Sequence, residues 1–229
     1  MKSSKNVFTS TLGLKAQMAL SGVVLIGFVL VHMLGNLQIF LGPAALNDYA
    51  ELLKSNKAVL WGARLVLISS IGVHLYSAYT LTMRSRAARK KRYAQKSWLG
   101  SSYAVRTMRW GGVILLLFIV YHLLHLTVGA PVAPSQHMAS MLPNNDGQVD
   151  VYGNVVRGFK NPIVAIFYIL AQCALGLHLA HGVWSMVRTL GVTKRAWIQK
   201  AQLGAVAFGI LITIGNCSIP LAVFIGLVE

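Results

Sequence analysis

The chain has 229 residues, of which 55% are hydrophobic and only 11% charged, yet it carries a formal net charge of +16. A soluble domain is about 25% charged, so this composition excludes an ordinary soluble globular domain and indicates an all-α integral membrane protein. The two cysteines, Cys173 and Cys217, lie inside apolar runs and read as small core thiols without a disulfide.

Crossing the hydrocarbon takes about 20 apolar residues, and five segments qualify: approximately 16–41, 59–82, 108–129, 162–187 and 201–227. Together they form a single integral membrane domain over residues 1–229, with no soluble domain, low-complexity tract or strong internal repeat. The first segment follows Lys2, Lys5 and Lys15, as in a signal peptide. It exceeds the ~7–15-residue apolar core of a cleaved signal and no A-x-A site follows, so it reads as a retained first helix. Gly42-Pro43 ends it, and the second segment stops at Arg84, where RSRAARKKR begins. Pro131 and Pro134 follow the third. Asn161-Pro162 opens the fourth with proline at a first-turn position, and Arg188 to Lys200 separates the fourth from the fifth.

The charges predict an orientation. With the N-terminus in the cytoplasm and the C-terminus outside, 16 of the 21 Lys and Arg face inward, nine of them between Arg84 and Arg109. All five acidic residues, Asp48, Glu51, Asp146, Asp150 and Glu229, face outward. The basic face suits topology and anionic lipid contact, and equally a docking surface for a cytoplasmic partner. Nucleic acid is not a fitting partner for a loop this close to a membrane.

Six of the seven histidines lie in the apolar segments: His32, His74, His122, His125, His178 and His181; His137 lies in an outer loop. Polar groups in hydrocarbon are costly and usually functional. His74 and His178 each precede a cytoplasmic arginine, Arg84 and Arg188, by ten residues, which puts both ~15 Å above that boundary at 1.5 Å per residue. His32 lies ten residues before Gly42 and His122 nine before Pro131, a second and more external level ~10 Å from the first. Two facing neutral imidazoles are the axial ligands of a six-coordinate b-type haem. Two stacked pairs predict two haems b, and the absence of CxxCH argues against covalent haem. Gly35, Gly72, Gly176 and Gly182 suit either close helix packing or the approach of a flat macrocycle. No carboxylate or thiolate accompanies these histidines as a di-iron or zinc site requires, and no intramembrane Asp, Glu or Lys marks a proton-coupled transporter.

The combination of KAQMALSG leading to FVLVHMLGN, then VHLYSAY, IVYHLLHLTVG, VYGNVVRGFKNP, and GLHLAHGVWSM followed by RTLG spans nearly the whole chain. It resembles the five-helix di-haem cytochrome b subunit, of the single-anchor b558 type, of succinate:quinone oxidoreductase and fumarate reductase. The resemblance implies a haem-binding bundle of the first four helices. His74 and His178 would hold the inner haem iron, His32 and His122 the outer one. His125 and His181 become haem-propionate or quinone contacts, or packing groups. The implied partners are a flavoprotein with covalent FAD and an iron–sulfur subunit, docked on the basic face of a bacterial cytoplasmic membrane. The chain would then pass electrons between the iron–sulfur clusters and a quinone, menaquinone by type, within a heterotrimer able to assemble further. Near the outer haem, Asp48 and Glu51 are candidates for quinone proton transfer, or simply solvated charges. Relatives with a transmembrane proton path carry a glutamate two residues before the fourth-helix ligand; Gly176 stands there. Two alternatives remain at this point: the anchor of another dehydrogenase, of hydrogenase or formate dehydrogenase type, and a haem-free transporter.

Overall fold

The computed structural model describes residues 7–88, 103–129 and 149–229, with side chains of the middle stretch from residue 108. After a short 3-10 turn at Val7–Thr9, the described chain forms α1 (Thr11–Asn36), α2 (Pro43–Ser55), α3 (Lys57–Ala87), α4 (Tyr103–His122), α5 (Val151–Phe159), α6 (Pro162–Thr189) and α7 (Arg195–Phe224). A 3-10 turn, Leu37–Leu41, extends α1, and a π turn, Leu123–Val128, extends α4. No strand occurs among the described residues. Five helical spans, Thr11–Leu41, Lys57–Ala87, Met108–Val128, Pro162–Thr189 and Arg195–Phe224, are long and apolar enough to cross a bilayer. The protein is an all-α, multi-pass membrane protein with five membrane-spanning helices.

Most of these helices outrun the apolar segments read from sequence. The 31 residues of α3 reach roughly 46 Å, against a hydrocarbon core of about 30 Å. Charge stops the membrane, not the helix: Arg84 and Arg86 sit in the last turn of α3, where the helix dipole favours cations. Caps set the starts. Ser10 Oγ accepts from Gly13 N at 3.0 Å, Asn56 Oδ1 from Ala58 N at 3.0 Å, and Asn161 Oδ1 from Ile163 N at 3.0 Å. Tryptophans mark both ends. Arg64 lies over Trp61 at 4.9 Å at one end, and Arg188 over Trp184 at 5.0 Å and Lys200 over Trp197 at 5.2 Å at the other.

Helices α2 and α5 are absent from the hydropathy reading because they are short and amphipathic rather than apolar throughout. Both lie at the end of the bundle opposite Arg84 and Arg188, packed on each other. Asn47 on α2 accepts from Tyr152 N at 3.0 Å and donates to Asp150 Oδ1 at 3.4 Å. Asp150 also caps α5, accepting from Gly153 N at 2.8 Å, and pairs with Arg157 at 3.6 Å. The Tyr152 hydroxyl donates to the Glu229 carbonyl at 3.0 Å, which ties Glu229 to the same cap. Replacing Asp150 by alanine removes an N-cap worth about 1 kcal/mol and the Asn47 contact with it. Amide exchange over Val151–Phe159 is expected to quicken several-fold; unchanged protection would show that α5 does not depend on this cap.

The tightest packing is between α6 and α7, while α3 packs along α1 and α4 along α6. One cluster of buried residues, including Leu46, Phe118, Phe159, Tyr168 and Val223, fills the α2–α5 end. A second, Met33, Leu179 and Ile212, joins α1, α6 and α7. The remaining large apolar side chains, nearly all of α3 among them, face outward as a lipid-facing surface does. Cys173 is exposed there rather than in the core, and both thiols are free. The basic run from residue 89, together with Pro131, Pro134, His137 and Asp146, lies outside the described residues.

Candidate cofactor site: two facing histidine pairs

His32 on α1 faces His122 on α4, with ring centroids 5.8 Å apart. His74 on α3 faces His178 on α6, with centroids 6.4 Å apart. Among the described residues no hydrogen bond joins the rings of either pair. The parent helices of each pair stay apart as well. Neither α1 with α4 nor α3 with α6 makes an extended backbone contact, so each ring pair reaches across a gap. A metal–imidazole bond of about 2 Å on either side of a single atom puts the two ring centroids roughly 6 Å apart. Both pairs meet that spacing. Among the described residues no group of three or more His, Cys, Asp or Glu side chains could hold a metal ion, so each pair would offer two imidazole nitrogens and leave the remaining coordination to another ligand.

The two levels lie further apart than residue counting from the loops suggests. Ser21 Oγ meets His74 Nδ1 at 3.3 Å, and Ser21 precedes His32 by eleven residues on the same helix. Tyr168 Oη meets His122 Nδ1 at 3.3 Å, and Tyr168 precedes His178 by ten residues. Both rulers give roughly 15 Å between levels rather than the ~10 Å expected. Arg84 and Arg188, used as depth markers, lie inside the last turns of α3 and α6, and α4 with its π turn stops at Val128, short of Pro131.

The ring nitrogens have distinct partners. The buried Ser21 hydroxyl lies 2.8 Å from the Gln17 carbonyl and 3.2 Å from that of Met18, so its one hydrogen is committed to the backbone. Toward His74 it can only accept. His74 Nδ1 therefore carries the hydrogen, and Nε2 keeps its lone pair, the state a metal ligand needs. His178 Nδ1 is buried with no hydrogen-bond partner. His32 stacks on Phe28 at 5.1 Å. His125, which is 0% exposed, holds Tyr168 Oη at 2.8 Å through Nδ1, and its Nε2 has no partner. His181 is half-buried and stacks on Trp184 at 5.9 Å, one turn from Arg188 over the same indole.

The four glycines divide. A Cβ on Gly35 would strike the Tyr49 ring, 2.6 Å from its hydroxyl, and one on Gly176 would strike Thr213 and come 3.0 Å from the Gly209 carbonyl. Both are packing positions. Gly72 and Gly182 face open space. Gly182 lies one turn from His178 on the same face, whereas Gly72, two residues from His74, falls on the opposite side of α3. Gly22 is the glycine beside the His74 ring, where a Cβ would lie 3.7 Å from Cε1.

Asp48 and Glu51 lie on the exposed side of α2, because Leu46 and Tyr49 turn inward and the acids stand two residues off that face. Ser21 and Tyr168 are the functional candidates that motif reading missed, since a serine or a tyrosine in an apolar run carries no signature. Depth counting contains a hint of Tyr168: it lies six residues after Pro162, as His125 lies six before Pro131.

A scan against known protein-family models, a search of curated proteins and a search of solved structures each return no match. The functional reading therefore stands on the residues and their geometry.

Proposed function

We propose that this chain is a di-haem b membrane anchor that carries electrons between a peripheral iron–sulfur subunit and a membrane quinone, in a succinate:quinone or quinol:fumarate oxidoreductase. One observation supports the haem reading above the rest: two histidine pairs, each with centroids about 6 Å apart, reach between helices that make no extended backbone contact with each other. The two rings of each pair do not hydrogen-bond each other, so neither pair is accounted for as an imidazole–imidazole contact. The donor set fits a haem better than a naked ion, because two imidazoles per site are too few to hold an ion alone and would suit one whose other ligands come from a macrocycle.

Bound at each pair, a haem would supply one-electron transfer; the chain's own groups do the rest. His32 and His122 would hold the outer iron, His74 and His178 the inner one. Ser21 orients His74 by accepting from Nδ1–H, and the open face at Gly182 leaves room beside His178. The basic end, with Arg84, Arg188 and Lys200, would lie in the cytoplasm of a bacterial inner membrane. There it would dock the iron–sulfur subunit and, through it, a flavoprotein with covalent FAD. Quinone, menaquinone by the type resembled, would react near the outer pair, with Asp48 and Glu51 at the rim as the carboxylates that exchange its protons with the outside.

A dithionite-minus-oxidised difference spectrum and a pyridine haemochrome assay test the reading. The expected result is two b haems per chain. A full-length, colourless preparation would overturn it and return the transporter; one haem would reduce one pair to packing.

A further inference from the structure

We infer, building on the two-haem reading, that Tyr168, backed by His125, positions the His122 ring and sets the potential of the outer haem alone. A single phenol lies between two imidazoles, 2.8 Å from His125 Nδ1 and 3.3 Å from His122 Nδ1. It has one hydrogen to give. The shorter contact suits the hydroxyl donating to its nearer neighbour, which leaves the phenol oxygen to accept along the longer one. The phenol O–H therefore donates to His125 Nδ1, and His122 Nδ1–H donates to the phenol oxygen. This direction leaves the lone pair of His122 on Nε2. Reversed, the phenol would donate to His122 and place a hydrogen on Nε2, where a metal ligand cannot have one.

The local fold builds this arrangement. At His122 the α-helix gives way to the π turn Leu123–Val128, a form of backbone frequent at functional sites. It brings His125 to the hydroxyl that His122 already touches. Phe118, Tyr121, Phe159 and Phe167 surround Tyr168 edge-on, with centroids 4.8–6.4 Å away, and shut out water that could replace the phenol. His125 is completely buried and its Nε2 has no partner. Its retention at that expense is explained if its other nitrogen is needed to take the phenol hydrogen.

The inner pair lacks this relay. Its one hydrogen-bonded ring, His74, meets a serine whose hydrogen ends on the backbone, and His178 has no partner on Nδ1. Hydrogen bonding to the distal nitrogen of a ligating histidine raises its basicity and is one of the protein's levers on haem potential. Removing the phenol weakens His122 as a donor to iron, which favours the reduced state.

The test is a redox titration with low-temperature EPR on the membrane complex. The outer component is identified beforehand as the one missing in His32→Ala. Tyr168→Phe is expected to keep two haems per chain, raise the outer midpoint potential and move the largest outer g value, with the inner haem unmoved. His125→Phe should raise the outer potential too, because a phenol whose own hydrogen has no acceptor is less polarised and accepts more weakly from His122 Nδ1–H. His125→Gln, whose amide oxygen can accept from the phenol, should return it toward the starting value. An outer potential unmoved in Tyr168→Phe overturns the inference, and so does an equal shift in both haems. A shift in Tyr168→Phe with none in His125→Phe overturns the part given to His125. Absence of haem from the unsubstituted chain overturns the two-haem reading itself, so the two failures are distinct.

Discussion

His74→Ala is expected to abolish one of two b-type spectral components completely, and His178→Ala to abolish the same one; His32→Ala and His122→Ala abolish the other. On the two-haem proposal, haem content should fall from two to one per chain in each variant. The expectation follows from the pairing, 6.4 Å between the rings of His74 and His178 and 5.8 Å between those of His32 and His122. The roughly 15 Å between levels makes the sites separate. Each variant removes one of only two protein donors to its site. The remaining imidazole then faces an apolar gap, and no other His, Cys, Asp or Glu among the described residues completes a cluster to replace the lost ligand. Loss of the same component from His32→Ala and His74→Ala would refute the pairing. His181→Ala serves as comparison, since its ring stacks on Trp184 and faces no second histidine; both haems should persist.

The second large effect concerns the helix crossing that carries the rest of the bundle. Gly209→Val is expected to destabilise the protein by about 1–3 kcal/mol or more. A Cβ at Gly209 would come 2.6 Å from the Gly176 carbonyl and 3.3 Å from the Ala180 Cβ. The nearer obstacle is backbone and cannot rotate away, so α6 and α7 must separate. They share the most extensive helix contact among the described residues and bury Ile212, which is 0% exposed. In lipid, where no hydrophobic force drives helices together, close approach through small residues is what holds such a pair. Thermal or SDS unfolding followed by helicity should show the loss. Gly204→Val on the same helix, where a Cβ meets nothing within 4 Å, should be near neutral. Equal midpoints for the two variants would show that the crossing is not what stabilises the bundle. Because Gly176 lies two residues from His178, the same variant should release the inner haem at lower temperature than the outer.

Much of this architecture is legible in the amino-acid order. Five spans follow from apolar length, because a bilayer demands an uninterrupted run and little else does. The partnering of His32 with His122 and of His74 with His178 follows from counting, because a helix converts residue number into depth at a fixed rise. The amphipathic α2 and α5 escaped a reading tuned to spans, although Pro43 and Asp150 stand at their starts. What counting cannot supply is azimuth. Lipid-facing and helix-facing surfaces of these spans are both apolar, so no stripe of polarity tells one face from another. Only the tertiary structure could decide that Gly35 and Gly176 are packing surfaces while Gly22 lies against His74, that Ser21 holds one imidazole, and that Tyr168 stands between two others. Each of these depends on how neighbouring helices rotate and cross, which side-chain packing over the whole bundle sets.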